Sequence, residues 1–376
     1  MKPDLGTDSD RSQMRRALAL AERGLGMVSP NPPVGAVIAR GEEVLGEGWH
    51  QRHGQAHAEV AAIADASRGG TDLDGATIYV SLEPCAHFGR QPPCSEAIIA
   101  AGLGRVVIGA SDPSDKADGR GPGALREAGV AVEFIDGPEA AAAVLLVQPF
   151  RKHSRTGQPL VILKAAVSLD GRTATVAGDS QWISCEASRE AVHRWRATVD
   201  AVVVGIGTAL ADDPLLTARG VDAASQPRRV ILDSSARLPL DGQLLATVPE
   251  APVIVVASPE APAERVEALV AAGAEVISCT GDGPARIDAA LHELGARGVT
   301  SLILEGGPTI AGSFLDADAI DEVRLFLAPM LLGGADARPL LAGVGLERLA
   351  DARRAVDMDW QACGEDLLIR ARMREW

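Results

Sequence analysis

"HAEVAAIADA" at residues 57–66 and "SLEPCAHFGRQPPC" at residues 81–94 are the stretches that decide the fold of the first half of this chain. The first is alanine-rich, which is typical of a helix. The second continues the β-branched run "ATIYVSL" (76–82) and leads into another helical stretch. Four residues with metal or proton chemistry lie at these strand-to-helix junctions: His57, Glu59, Cys85 and Cys94.

These four residues suit a catalytic zinc site, which needs three protein ligands and an open fourth position. His57, Cys85 and Cys94 would supply an imidazole and two thiolates. Glu59 would face the open position without being a ligand. Because two thiolates cancel the formal charge of zinc, the metal acidifies its water less, and a carboxylate is needed to take the proton. A helix that begins near Cys94 would also favour a thiolate there.

Each of these residues alone has a structural interpretation. A histidine in a helix is commonly a surface or core residue, and a cysteine is commonly a small buried hydrophobic side chain. The four together, in this order, favour the metal site. Three further histidines could compete as ligands: His50, His53 and His87. Asn31, in the turn of "NPPVGAVI" (31–38), is placed to hydrogen-bond a polar ring edge, although alone it indicates only a turn.

Length, charge and cysteine content limit the classes of function. With 376 residues the chain exceeds one compact core, so we expect two domains. The formal net charge is -15 and no stretch concentrates Lys and Arg, so we expect no nucleic-acid partner. No apolar run approaches the roughly 18 residues of a membrane span, and no signal-peptide core is present, so we expect a cytoplasmic protein without membrane contact. The dispersed cysteines disfavour a disulfide framework.

Short β-branched runs alternate with alanine-rich stretches along the whole chain, which predicts an α/β fold. In the first half the sequence predicts strands over 34–39, 76–82 and 105–110. In the second half it predicts at least six strands interleaved with helices, within 160–171, 200–214, 228–239, 251–258, 273–278, 299–317 and 322–334. We predict a first domain over 1–150, a linker over 151–158 and a second domain over 159–376.

Several predicted strands of the second half end in polar or glycine residues, as at the ligand crevice of α/β sheets. In "LILEGGPTIAGSFL" a strand ends in Glu305, and glycines precede a helix that begins around Thr309, which suits a phosphate. The stretch from Gly205 to Asp213 repeats the arrangement. Each motif alone is weak, and the absence of G-x-G-x-x-G argues against a standard Rossmann site.

The motifs of the first half resemble a known family. "NPPVGAVI", "HAEV" and "EPCAHFGRQPPC" are similar to the deaminase half of the bifunctional riboflavin-biosynthesis deaminase/reductases. The eight residues between Cys85 and Cys94 match that family and argue against the tRNA and cytidine deaminases. The resemblance implies Zn²⁺ on His57, Cys85 and Cys94, with Glu59 as proton shuttle. Ser114 stands where the family usually has Asn, so the substrate contact of that loop is open.

The second half resembles the reductase domain of the same family, through "KAAVSLDGRTA", "SQWIS", "VHRWRATVDAVVVGIGTALADDPLLTAR" and "LEGGPTIAGSFL". The resemblance assigns NADPH contacts to Ala166, Trp182, Thr208, Asp212, Ser234, Gly307, Pro308, Thr309, Ile310, Ala311, Gly312 and Ser313. It assigns substrate contacts to Ser180, Arg196, Leu216, Arg219 and Glu305, and we add Asn31 from the first half. Guanidinium groups suit the ribose phosphate of the substrate.

The resemblance implies a cytidine-deaminase-like three-layer α/β domain followed by a dihydrofolate-reductase-like domain. The first would deaminate a phosphoribosylated diaminopyrimidine, and the second would reduce its ribosyl group with NADPH; we also expect a homo-oligomer. From the residues alone, Asp233 favours NAD, whereas Ser234, Ser235 and Arg237 favour NADP. The reductive proton donor stays open between Lys164, Asp212 and Glu305. Two alternatives are a deaminase whose second domain only binds nucleotide or mediates assembly, and a non-enzymatic zinc-stabilised scaffold.

Overall fold

The computed structural model describes residues 7–86, 92–114, 117 and 119–376. The chain divides into two compact units, Met1–Thr156 and Gly157–Trp376. Among the residues described, none of the helices has the length and apolar character needed to cross a bilayer.

The first unit alternates helices and strands. Its elements are α1 (Asp8–Glu22), β1 (Gly35–Arg40), β2 (Glu43–Trp49), α2 (Ala58–Arg68), β3 (Thr77–Leu82), α3 (Cys94–Ala100), β4 (Arg105–Ala110), α4 (Arg120–Glu127), β5 (Ala131–Phe134), α5 (Gly137–Leu146) and α6 (Gln148–Thr156).

A five-stranded sheet of order β2-β1-β3-β4-β5 forms the middle layer of this unit. β1 runs antiparallel to β2 and β3, whereas β3, β4 and β5 are parallel. Its central strands β1, β3 and β4 are buried on both faces, so each face is covered by helices. Side chains of α1 and α5 pack on one face, and side chains of α2, α3 and α4 pack on the other. The result is a three-layer α/β unit.

Two glycines let helix α2 lie directly on strand β2. A Cβ atom added to Gly48 would lie 2.4 Å from the Ala62 backbone nitrogen and 2.6 Å from the Ala58 carbonyl oxygen. At Gly46 the Ala62 carbonyl oxygen would be 2.5 Å away. Any side chain would push the helix outward, and His57, which caps the start of α2, would move with it.

The second unit begins at the next strand. Its elements are β6 (Leu160–Ser168), β7 (Arg172–Ala174), α7 (Glu186–Arg196), β8 (Ala201–Gly205), α8 (Ile206–Asp212), β9 (Arg228–Leu232), α9 (Gln243–Ala246), β10 (Val253–Ala257), α10 (Ala263–Ala271), β11 (Glu275–Ser278), α11 (Gly283–Ala296), β12 (Ser301–Leu304), α12 (Pro308–Asp316), β13 (Glu322–Ala328), β14 (Arg338–Pro339), a 3₁₀ turn (Leu349–Asp351), β15 (Asp357–Cys363) and β16 (Asp366–Arg372).

The main sheet of this unit has nine strands in the order β11-β10-β9-β8-β12-β6-β13-β16-β15. The strands from β11 to β13 are parallel, and β16 and β15 add an antiparallel edge. Helices α11 and α12 pack on one face, and α9 and α10 on the other. The carboxyl ends of β8, β9 and β12 therefore lie along one edge of the sheet, where a ligand crevice forms in such folds.

The α/β prediction agrees with these two sheets. The three strands predicted in the first half are present within one residue of the predicted positions, and β6 and β8 to β13 lie inside the segments predicted for the second half. The segment 151–158, predicted to be a linker, is helical up to Thr156, because α6 spans most of it. The sequence did not predict the strands β2, β5, β7, β14, β15 and β16. β2 contains two glycines, and β15 is exposed along almost its whole length, so neither shows the apolar pattern of a buried strand.

Replacing Gly48 by Ala is expected to destabilise the first unit by about 1–3 kcal/mol, because the added methyl group overlaps the backbone of α2. Gly123→Ala, in helix α4 with open space around its Cα, is the matched control and should be neutral or slightly stabilising. Denaturant unfolding of the full chain measures both. Equal midpoints for the two variants would contradict the close approach of α2 to β2.

Two candidate active sites

The first site is built where two helices begin. His57 is the N-cap residue of α2, Cys94 is the first residue of α3, and Cys85 follows the end of β3. The His57 Nδ1 atom lies 3.3 Å from the Cys94 Sγ atom and 3.6 Å from the Cys85 Sγ atom. One ligand atom from each of the three residues lies within 4.8 Å of the others. This is a donor set that could hold one metal ion in a tetrahedral arrangement with a position to spare.

The two cysteines differ in their electrostatic surroundings. The Cys94 side chain hydrogen-bonds Cys85, the Cys94 backbone N–H donates to the Cys85 sulfur at 3.4 Å, and His57 also pairs with that sulfur. These contacts lower the pKa of Cys85, whereas the hydrogen bond to Cys85 and burial raise the pKa of Cys94. The helix start predicted near Cys94 is present, and the first amide of α3 donates to the Cys85 sulfur. The thiolate at Cys94 stays a prediction.

Glu59 lies in the first turn of α2, and only 3% of its surface is exposed. Burial, assisted by the negative charge of Cys85, raises the pKa of Glu59 to about 7. A carboxyl group whose pKa is near neutrality can both take and return a proton under physiological conditions. The charge of Glu59 raises the pKa values of His57 and Cys94, so Glu59 lies beside the three possible ligands.

His50 connects Asn31 to this cluster. Its Nδ1 atom is 3.0 Å from the Ala56 carbonyl oxygen, which can only accept, so Nδ1 carries the proton. Its Nε2 atom then accepts from the Asn31 side-chain amide at 3.1 Å. The His50 ring meets the His57 ring edge-on at 5.4 Å. His50 is thus occupied by these bonds.

The other two competing histidines have different outcomes. His53 is exposed and is not part of the cluster of possible metal ligands. His87 lies outside the described residues.

The loop that carries Ser114 is tied to the same region. The Ser114 backbone N–H donates to the Asp112 side chain at 2.8 Å, and the Asp112 backbone N–H contacts Glu83 Oε2 at 3.4 Å. Glu83 is buried two residues before Cys85. The backbone N–H of Ser114 is therefore held near the proposed metal ligands, and the substrate contact of this residue stays a prediction.

The second site centres on an ion pair at the carboxyl end of β12. Arg196, at the end of α7, binds Glu305 through two parallel hydrogen bonds of 2.7 and 2.9 Å, and its third nitrogen donates to the Thr217 carbonyl oxygen at 3.1 Å. The two side chains are 11% and 9% exposed. Burial alone would raise the pKa of Glu305, but the charge and hydrogen bonds of Arg196, with the charge of Lys164, lower it to about 2. Glu305 is therefore ionised near neutral pH.

Lys164 lies on β6, the strand next to β12. Burial is the main cause that lowers its pKa, the Arg196 charge lowers it further, and the Glu305 charge opposes both. Of the three proton donors considered from the sequence, Glu305 is excluded by its ionisation, and Asp212 is exposed at the end of α8. Lys164 is the partly buried acid that fits the role.

The predicted substrate residues divide into two groups. Each nitrogen of Arg196 already donates one hydrogen bond, and the Glu305 carboxylate balances its charge. Arg219 donates to the Thr217 hydroxyl at 3.2 Å and forms no ion pair among the described residues, so it is the guanidinium with more capacity for a phosphate. The side chain of Leu216 is buried in the core, so this residue can offer only its backbone, which has φ +56°. Ser180 is exposed.

Glycines bring two strand-end loops together at the predicted cofactor site. A Cβ atom on Gly306 would lie 1.8 Å from the Ile310 side chain and 3.7 Å from the Gly205 backbone nitrogen. A Cβ atom on Gly307 would lie 3.9 Å from the Thr208 hydroxyl. The start of α12 therefore lies against the loop after β8, and bare backbone amides line the gap, as a phosphate group requires.

The remaining predicted cofactor residues lie around this gap or farther along the sheet. Trp182 is 67% exposed, with the Arg189 guanidinium 4.6 Å from its ring centroid. Ala166 lies on β6 and is half-buried, and Ser234 follows β9 and is exposed. Of the segment from Gly307 to Ser313, Ala311 and Gly312 are buried in α12. The Ala311 methyl group packs in the core, and Gly312, which has no side chain, lies against the Ala342 backbone.

Two family descriptions match the chain. Residues 7–110 match the cytidine and deoxycytidylate deaminase zinc-binding region, and residues 159–369 match the RibD C-terminal domain. The riboflavin biosynthesis protein RibD of Actinobacillus pleuropneumoniae is 38% identical over 365 residues, which cover 96% of this chain and 95% of that protein. RibD of Escherichia coli (strain K12) is 39% identical over 372 residues, covering 96% and 98%.

Solved structures give the same result for the fold. Acinetobacter baumannii RibD, form 1, superposes with a TM-score of 0.84 at 37% identity, covering 97% of this chain and 98% of that one. A diaminohydroxyphosphoribosylaminopyrimidine deaminase/5-amino-6-(5-phosphoribosylamino)uracil reductase from Thermotoga maritima gives 0.83 at 34% identity, covering 96% and 98%. These matches confirm the predicted fold class.

With both halves matched along nearly their whole length, the chain belongs to the RibD family of riboflavin biosynthesis proteins, and it is a bifunctional enzyme with a deaminase domain and a reductase domain.

Proposed function

We propose that the first unit deaminates 2,5-diamino-6-(5-phosphoribosylamino)pyrimidin-4(3H)-one and that the second reduces the ribosyl group of the product with NADPH. The observation that carries the first step is the cluster of His57, Cys85 and Cys94 with the buried carboxyl of Glu59 beside it. The Thermotoga maritima relative, whose name gives both reactions, supports this choice of substrate. We also propose a homo-oligomer, which light scattering of the purified protein would test.

One nitrogen and two sulfur donors fit Zn²⁺, which prefers such ligands in tetrahedral geometry. Zinc on these residues would supply Lewis acidity toward a water molecule. Glu59 then accepts the proton of the attacking water and passes it to the pyrimidine ring nitrogen. A second transfer through Glu59 protonates the departing amino group, which leaves as ammonia.

Asn31 is the proposed contact to the ring edge of the pyrimidine. Its amide N–H group is directed by the neutral His50 ring, which accepts from it. The burial of His50 is the main cause that lowers its pKa, so the ring stays neutral and keeps this role. The Asn31 carbonyl oxygen and its second N–H then remain for the substrate.

The reductive step needs an open-chain sugar with a C=N or C=O bond at its first carbon, because a closed ring offers no acceptor for hydride. NADPH bound at the glycine-lined gap would supply the hydride. The nitrogen or oxygen that becomes negative needs a proton, and we assign this proton to Lys164. Glu305 keeps Arg196 and Lys164 in place by charge, and Arg219 would hold the substrate phosphate.

Glu59→Gln should abolish deamination while the zinc content stays unchanged, because the amide cannot take a proton and the three ligands are intact. A loss of at least about 100-fold in kcat is expected. Ammonia release from the phosphoribosyl diaminopyrimidine measures it. Glu96→Gln, an exposed carboxyl on helix α3, is the matched control and should behave like the wild type. A fully active Glu59→Gln enzyme would remove the proposed proton shuttle.

Cys85→Ser should lower the bound zinc from one ion per chain toward zero, since a thiolate ligand is replaced by a hydroxyl that does not ionise readily. Elemental analysis of the purified protein measures the metal directly. Cys185→Ser, which changes a free cysteine of the second unit, should retain one ion per chain. Unchanged metal content in Cys85→Ser would show that the ligand set is different.

Lys164→Arg should lower the kcat of reduction by about 100-fold or more while the NADPH dissociation constant stays the same. Arginine keeps the positive charge beside Glu305 but cannot give up a proton. In the wild type, reduction should also weaken as the pH rises through the lowered pKa of Lys164, because the protonated amine is the active form. Stopped-flow absorbance of NADPH with the deaminated substrate tests both points. A normal kcat in the Lys164→Arg variant would refute the assignment.

A further inference from the structure

At the end of strand β9, the side chains that are available to a ligand differ from those that the sequence suggested. Asp233, which by its position favoured a free ribose hydroxyl, is fully buried. Its Oδ2 atom accepts from the Leu238 backbone N–H at 2.9 Å, and its carbonyl oxygen accepts from Ala236 at 3.1 Å. Arg237 lies 3.7 Å from the other carboxylate oxygen. Asp233 is therefore engaged in holding the turn, whereas Arg237, whose side chain is 51% exposed, makes only this long contact with it.

Ser234 is exposed at this strand end and is paired with an arginine from a distant helix. Nη1 of Arg286, in the first turns of α11, donates to the Ser234 hydroxyl at 2.6 Å, and Nη2 donates to the Gly281 carbonyl oxygen. The Nε atom of Arg286 is buried without a hydrogen-bond partner. Within the described part of the chain, no carboxylate forms an ion pair with this guanidinium. The guanidinium therefore adds its positive charge to the positive end of the α11 dipole.

We propose that Ser234 and Arg286 together bind the 2′-phosphate of the adenosine ribose, and that this pair makes the reductase specific for NADPH over NADH. The inference rests on the proposed reductase function. Because the Ser234 oxygen already accepts from Arg286, its O–H proton is directed away from the guanidinium and can be donated to a phosphate oxygen. A phosphate group would also supply the anion that Arg286 lacks.

The register of the sheet puts this pair at the correct place along a dinucleotide. Gly205, at the end of β8, pairs with Leu232 of β9, so Ser234 is only two residues beyond the strand that borders the Gly205–Thr208 loop. β12, with the Gly306–Gly307 loop, lies on the other side of β8. A dinucleotide with its pyrophosphate at the glycine-lined gap would extend along the carboxyl edge toward β9, with the adenosine ribose beside Ser234.

Binding of two adenosine nucleotides to the full chain tests this without any turnover. Calorimetry should show that the wild type binds adenosine 2′,5′-bisphosphate at least about tenfold more tightly than adenosine 5′-monophosphate, as a charge-assisted phosphate contact predicts. Arg286→Gln should remove this preference and leave the affinity for the monophosphate unchanged. Arg286→Lys should keep part of it, because the charge remains. Arg265→Gln, an exposed arginine of α10, should retain the full preference.

The ratio of kcat/KM for NADPH to that for NADH should fall by the same factor in Arg286→Gln, and NADH turnover serves as the internal control for folding. Equal binding of the two nucleotides by the wild type, or an unchanged preference in Arg286→Gln, would overturn the inference. A preference that depends on Arg286, in a protein that never oxidises NADPH with the deaminated substrate, would support this site and refute the proposed reduction. NADPH oxidation with the deaminated substrate, combined with a kcat/KM ratio of NADPH to NADH that Arg286→Gln leaves unchanged, would support the proposed reduction and refute this site.

Discussion

The carboxyl ends of parallel strands lie at one edge of a sheet, and both units depend on this constraint for their sites. In the first unit Cys85 follows β3, and Asp112 follows the neighbouring parallel strand and is hydrogen-bonded to Glu83. In the second unit Glu305 follows β12 and Ser234 follows β9. Residues far apart in the chain converge at these edges because the sheet fixes the spacing of its strands. The helices that follow the strands then add their first-turn residues to the same edge.

The two units bury a carboxyl group in opposite ways. Glu305 is held by the guanidinium of Arg196, and the resulting charge balance keeps it ionised. Glu59 is paired with no guanidinium among the described residues, and burial raises its pKa toward neutrality. A fixed anion needs a permanent charge beside it, whereas a proton carrier needs two protonation states of similar free energy. The surroundings of Glu59 therefore suit the proton transfer that we propose for it.

Much of this could be predicted from the sequence, for a physical reason. His57 and Cys94 lie in local motifs at two helix starts and Cys85 lies just after β3, so the sequence could indicate all three together. The structure brings them within 4.8 Å of one another, and that they hold zinc stays a prediction. Pairs of residues that only the tertiary structure brings together could not be identified from the sequence. Arg286 is 52 residues from Ser234, and no pattern in either segment refers to the other. Asp233 looked available only because the sequence does not show which way a strand-end side chain turns. The edge strand β15 lacks an apolar pattern because almost its whole length is exposed to solvent.

The net charge of -15 disfavours a polynucleotide partner. It does not disfavour small anionic ligands, because the charges are distributed unevenly over the protein. At physiological ionic strength the field of a surface carboxylate decays over about 8 Å, so remote acids contribute little inside a crevice. Lys164 and Arg196 lie in partly buried surroundings, where screening by salt is weaker, and the Arg219 guanidinium extends from the same edge. Arg286 lies along that edge without an acidic partner among the described residues. In the proposed function, a phosphorylated substrate and a phosphorylated cofactor would therefore meet cations on a protein whose overall charge disfavours a polynucleotide.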